Sequence, residues 1–166
     1  MTVQSVTKDP ETRTMTLTAE FDAPVERVWQ LWADPRLLER WWGPPTYPAT
    51  FDEHELVAGG KALYHMTGPE GDQPRGWWRI TAVEEPHRIE FEDGFADDAG
   101  QPVGDLPVTS VVVTVEQQPE GRTRMTLTTT FASLEDMEQV IAMGAEEGIT
   151  QAVGQIDALL AAPADR

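Results

Sequence analysis

The sequence predicts an α+β domain: a curved antiparallel sheet of about six to seven strands around one long C-terminal helix, with two short helices after strand 1. Three observations predict it. Helical periodicity is confined to two stretches, 24–42 and 133–160. Between them lie short segments of period two, punctuated by turn residues, as in an antiparallel meander. The C-terminal stretch carries a long apolar stripe, and the only large surface available to bury it is the inner face of that sheet.

Residues 1–12 show no periodicity and are expected to form a flexible leader; 13–161 form the single domain and 162–166 a short tail. Arg13 to Phe21 alternates, with Met15, Leu17 and Ala19 on one face and threonines on the other, a half-buried strand. The period then changes. Pro24 suits a first helical turn, and Val25, Val28, Trp29 and Trp32 share a helix face. Asp34-Pro35 ends that helix and caps a second, which carries Leu37, Leu38 and Trp41 before Gly43-Pro44-Pro45 stops it.

Strands follow at Ala49 to Leu56, Lys61 to Thr67, Gly76 to Val83 and Arg88 to Glu92. Asp93 to Pro107 is rich in Gly, Pro and Asp and reads as a surface loop. Val108 to Gln117 and Arg122 to Phe131 form a hairpin about Pro119-Glu120-Gly121. Ser133, with Asp136 three residues on, caps the long helix to about Leu160. Gly144 and Gly148 interrupt its middle, which predicts a kink or two helices, and Pro163 ends it.

The formal net charge of −17 disfavours binding to phosphate backbones and anionic lipid surfaces. There is no apolar run of membrane-spanning length and no signal-peptide pattern. Cysteine is absent, which excludes disulfides and thiolate chemistry and fits a reducing, cytoplasmic setting.

Certain residues carry a family resemblance. They are Ala23-Pro24-Val25-Glu26-Arg27-Val28-Trp29, Trp41-Trp42-Gly43-Pro44, Gly59-Gly60, the run Tyr64 to Gly71, and Gly76 to Phe91. Thr123 to Thr128 and Gly144-Ala145-Glu146-Glu147-Gly148 complete them. In that order and spacing the chain resembles the START/Bet v 1-like (SRPBCC) superfamily, and within it the family named after the activator of the heat-shock-protein-90 ATPase. The resemblance implies a helix-grip fold. It also implies one of the uses of that superfamily: lipid carriage, hormone reception, aromatase/cyclase chemistry or co-chaperone action.

A helix held across a curved sheet leaves a concave apolar space, the default place for a ligand. Inward strand faces supply its candidate lining: Ala62, Tyr64 and Met66; Trp78, Ile80 and Ala82; Ile89 and Phe91; Val111, Val113 and Val115; Met125, Leu127 and Phe131. The helix adds Ile149, Val153 and Ile156. The same alternation is equally what a filled core shows. Trp29 is expected to pack, and of Trp41 and Trp42 one packs while the other borders the cavity mouth. In the resembling family Gly144 and Gly148 lie at the pocket entrance, where they either make room for ligand or kink the helix.

Catalytic signals are weak. No nucleophile elbow, phosphate loop or zinc-binding helix motif is present. Asp52 and His54 share a strand face but lack a third metal ligand, so no metal or other cofactor is expected. His65 faces away from Tyr64 and Met66; only an inverted register brings it inside as an acid or base. Tyr64 is the other weak candidate for proton transfer. The ligand-binding set is thus Trp29, Trp41, Trp42, Tyr64, Met66, Trp78, Ile80, Phe91, Val113, Leu127, Gly144, Gly148, Ile149 and Val153.

The expected function is the binding of a small hydrophobic molecule (lipid, polyketide or aromatic compound) without catalysis. Two alternatives stand beside it, a cyclase-type enzyme using the same cavity and a protein-interaction module. No nucleic-acid partner and no membrane insertion are expected, and the chain is a monomer or a homodimer.

Overall fold

The computed structural model describes residues 3–104 and 106–161. An eight-stranded antiparallel sheet runs in the order β1-β2-β8-β7-β6-β5-β4-β3. The strands are β1 (Val3–Asp9), β2 (Thr14–Phe21), β3 (Ala49–His54), β4 (Lys61–Met66), β5 (Arg75–Glu84), β6 (Arg88–Ala96), β7 (Thr109–Gln117) and β8 (Thr123–Phe131). Helices α1 (Val25–Ala33) and α2 (Pro35–Leu38) join β2 to β3. The chain ends in α3 (Leu134–Ala142), α4 (Ala145–Gly154) and α5 (Ile156–Ala161). This is the α+β helix-grip architecture that the sequence predicts, with an additional edge strand. The C-terminal tail at 162–166, and Asp105 of the predicted loop, lie outside the described residues.

The leader is a correction. Residues 3–9 form β1 and pair antiparallel with β2, from Val3 opposite Ala19 to Asp9 opposite Thr14. An edge strand needs few apolar side chains, because only one of its faces meets the core. Here Val6 packs against that core while its neighbours Ser5, Lys8 and Asp9 stay exposed, so the alternation is too sparse to read.

The second correction concerns Asp93 to Pro107. β6 continues to Ala96, so the first four residues of the predicted loop are strand. Gly94 is the cause of the misreading. It looks like a turn residue, yet it sits in the strand because the Trp77 ring lies on it: a Cβ at Gly94 would come within 2.5 Å of that ring.

Local signals fix the helix ends. The Asp34 carboxylate accepts from the Arg36 backbone N–H at 2.9 Å, and the Ser133 hydroxyl accepts from the Asp136 N–H at 3.0 Å. The long C-terminal helix is divided into three segments. Gly144, at φ +91°, breaks it between α3 and α4 in a left-handed conformation that a Cβ disfavours. Gly148 lies inside α4, and a Cβ there would meet nothing within 4 Å. The two glycines should therefore respond oppositely to alanine. Gly144→Ala is expected to lose about 1 kcal/mol and Gly148→Ala to gain about 0.5–1 kcal/mol in urea denaturation. Equal responses would refute this division of the helix.

The core lies between the sheet's inner face and the helices. Its densest part is an aromatic cluster at the β3–β6 end. Trp78 stacks on Phe91 with ring centroids 4.2 Å apart, and Trp42 meets Trp78 edge-on at 5.0 Å. Trp32 packs edge-on against Trp41 at 4.8 Å. Such edge and offset contacts between large apolar rings contribute beyond simple burial.

Candidate functional site

At the other end of the inner face the sheet and helices do not meet completely. A cavity of about 140 Å³ remains between β2, β6, β7 and β8 on one side and α3 and α4 on the other. Its floor is built by alternation along the strands: Met15 and Leu17 from β2, Val111 from β7, Leu127 and Phe131 from β8. Val140, Ala145 and Ile149 roof it, and Trp42 closes one side. The polar residues on its wall are Asp93, Thr109 and Thr129.

Asp93 was not singled out by the sequence, because its segment reads as a loop. Extending the inward series Ile89, Phe91 by one step finds it. Within β6 it stands opposite Trp78 of β5 and Thr109 of β7. Its side chain is deeply enclosed by protein, yet it keeps partial exposure because it borders the cavity. The Tyr64 hydroxyl donates to Asp93 Oδ1 at 3.1 Å. Burial pushes the Asp93 carboxyl up to about 7, opposed by this hydrogen bond. Burial also raises the Tyr64 hydroxyl well above its ordinary range, and the neighbouring Asp93 charge adds to the effect.

Tyr64 is held from both sides. Its ring stacks on Phe51 with centroids 5.1 Å apart. Beneath it, a Cβ at Gly76 would come within 2.4 Å of the Tyr64 hydroxyl, so only glycine leaves room for the hydroxyl to reach Asp93. Trp42 is 8% exposed and meets the Tyr64 ring edge-on at 6.2 Å, with its indole N–H near enough to the Tyr64 hydroxyl to favour the ionised phenol slightly. The site thus combines one carboxyl, one phenol bonded to it, an indole beside that phenol and mainly apolar walls.

The sequence-predicted site residues divide by position. Trp42, Leu127 and Ile149 line the cavity, and Tyr64 reaches its wall through Asp93. Trp29, Trp41, Trp78, Ile80, Phe91, Val113 and Val153 are buried in packed core, and Met66 packs against that core half-buried. Trp41 is the member of its pair that packs: it is fully buried and its indole N–H donates to the Leu31 carbonyl at 2.9 Å. Gly144 and Gly148 each precede a roof residue, Ala145 and Ile149, and a Cβ at either glycine would meet open space.

His65 is turned to the outer face. Its Nδ1 lies 3.1 Å from Asp52 Oδ2, with Arg75 Nη1 3.9 Å from the same oxygen. The expectation that Asp52 and His54 share a face needs correcting. The register shifts between Phe51 and Glu53, which turns His54 inward with Phe51. The His54 Nε2–H donates to the Trp32 carbonyl at 2.9 Å, and burial lowers its pKa, so it is a neutral core residue. No group of metal-binding side chains occurs among the described residues, and no helix there is long and apolar enough to cross a membrane.

The fold and its interior cavity define a protein of the helix-grip, START/Bet v 1-like class. The model of the Activator of Hsp90 ATPase homolog 1-like protein family matches residues 22–161, and the chain belongs to that family. Among solved structures it is similar to protein Ms6760 from Mycobacterium smegmatis, at 51% identity over 98% of this chain and 99% of that one, with a TM-score of 0.89. It is similar also to a protein from Arthrobacter aurescens, at 55% identity over 99% and 95% of the two chains and a TM-score of 0.92. CalU16 from Micromonospora echinospora, at 16% identity over 97% and 87% of the two chains and a TM-score of 0.60, shares the fold alone. Among curated proteins none matches.

Proposed function

We propose that this protein binds a small, largely apolar molecule in the cavity between the sheet and α3–α4. The observation that carries this reading is the cavity itself, a partly open space of about 140 Å³ with mainly apolar walls and the Asp93 carboxyl among the described residues that line it. An apolar cavity of about 150 Å³ is large enough for benzene. The space therefore suits one ring or a short branched chain; a long acyl chain requires α4 to move. The cysteine-free sequence supports action in the cytoplasm.

A second reading, proton-transfer catalysis of the cyclase type, is favoured by the Tyr64–Asp93 pair, since a carboxyl titrating near neutrality suits an acid or base. The two readings differ in whether the molecule leaves unchanged.

Native mass spectrometry of the purified protein, followed by tryptophan-fluorescence titration with single-ring aromatic compounds, tests the binding reading. Saturable quenching is expected, because Trp42 borders the cavity. Ile149→Phe fills the space from the roof and is expected to weaken binding about tenfold, roughly 1.4 kcal/mol, with the circular dichroism unchanged. Absence of saturation across the compounds, with no co-purifying mass, refutes it. Recovery of a chemically altered compound moves the conclusion to catalysis.

A further inference from the structure

We infer that the molecule held in this cavity is a small amine, bound as its ammonium ion against the Asp93 carboxylate with its apolar body on the Trp42 side. This rests on the cavity reading above and adds the charge of the ligand. Four observations converge on it. First, among the described residues Asp93 is the one carboxyl on the cavity wall, and no Lys, Arg or His lines the space. Second, Tyr64 occupies Oδ1, whereas Oδ2 accepts no hydrogen bond among the described residues and remains available to a donor. Third, the Trp42 indole on the same wall offers an apolar surface for the body of the ligand. Fourth, the net charge of −17 raises the local concentration of cations and repels anions.

The groups beside Asp93 or on the cavity wall with it supply no positive charge among the described residues. They are Tyr64 from β4, Trp42 after α2, Trp78 from β5, Thr109 from β7, Val140 from α3 and Ile149 from α4. Of these only Tyr64 titrates, and it holds its proton near neutrality. Of the α4 carboxylates near the roof, Glu146 pairs with Lys8 of β1 at 2.6 Å and Glu147 is exposed. A buried carboxylate without a cation is unfavourable, and an ammonium ion supplies the missing partner. A carboxylic acid such as a fatty acid brings a second negative charge to the same place and is disfavoured wherever Asp93 is ionised.

Binding then releases a proton. The ammonium ion pairs with the carboxylate, and the fraction of Asp93 that is protonated in the free protein gives its proton to the buffer. The test is isothermal titration calorimetry on the full chain with benzylamine, benzyl alcohol and benzoate, three probes of one ring size and different charge. Benzylamine is expected to bind most tightly at pH 8 and about tenfold more weakly at pH 6, as a carboxyl titrating near 7 requires. Benzyl alcohol should be insensitive to pH over this range, and benzoate should bind least. Titrations in buffers of different ionisation enthalpy should show about half a proton released per benzylamine at pH 7. Asp93→Asn should abolish the difference between amine and alcohol.

Equal binding of benzylamine and benzyl alcohol at pH 8, a pH-independent amine affinity, or an amine preference that survives Asp93→Asn would each overturn the amine assignment and leave the cavity reading standing. If none of the three probes binds at either pH, the cavity reading fails and takes this inference with it. The wild-type pH profile and proton release decide the matter even if Asp93→Asn folds poorly.

Discussion

Trp78→Ala is expected to destabilise the protein by about 3–5 kcal/mol, a large share of the roughly 5–15 kcal/mol that holds a typical single domain folded. Trp78 is 1% exposed and sits at the centre of the aromatic cluster. It stacks on Phe91 and meets Trp42, Phe51 and Tyr64 with ring centroids 5.0, 5.4 and 6.2 Å away. Removing it opens a large void among rigid rings that cannot collapse into it. Trp78→Phe should cost far less. It keeps the stacking surface and deletes an indole N–H that is buried without a partner, so one unfavourable term disappears with the lost area. Urea denaturation of the two variants checks this. An alanine variant within 1 kcal/mol of wild type would show that the cluster is not the stabilising centre, and would return Trp78 to the ligand-binding candidates.

Asp93→Asn is expected to act in the opposite direction and to depend on pH. The folded protein holds the Asp93 carboxyl near 7, above the value of about 3.9 that it takes in an unfolded chain. Between those two values the folded state binds more protons than the unfolded one. Stability therefore falls as pH rises from about 4 to about 7 and is flat above. The ionised carboxyl costs about 2–4 kcal/mol at pH 8, the lower figure allowing for its contact with the cavity. Asparagine keeps an oxygen to accept from Tyr64 and carries no charge. The variant should thus be more stable than wild type by about 2 kcal/mol at pH 8, a rise of roughly 5 °C in Tm, and should lose most of that advantage by pH 5. His54 also titrates in the folded core, with its pKa lowered, but it is common to both proteins and cancels in the difference. A constant difference between the two across pH 5–8 would mean that Asp93 is not held protonated by burial.

The two substitutions separate roles that the sequence presents alike. Apolar and aromatic residues at alternate strand positions read as one continuous inner face, and the structure divides that face. Around Trp78 the rings close on each other. Beyond Asp93 the helices stand off the sheet and leave space.

By itself, the sequence determined the class of fold, the two short helices, the order of β2 to β8 and the caps at Asp34 and Ser133. These depend on local periodicity and local hydrogen bonding, which neighbouring residues encode. It also supplied the glycine that breaks the C-terminal helix. Only the tertiary structure decided the rest. β1 exists because β2 offers it an edge to pair with, and a sparsely apolar strand has no signal apart from that partner. Asp93 faces inward because β6 runs on past Gly94, and Gly94 is glycine because Trp77 lies across it. Which inward residues border the cavity depends on how far α3 and α4 stand from the sheet, a distance set by the break at Gly144 and by the bulk of side chains remote in sequence. Alternation encodes which face a side chain takes, and it carries no information on how much space remains above that face once the helices have packed.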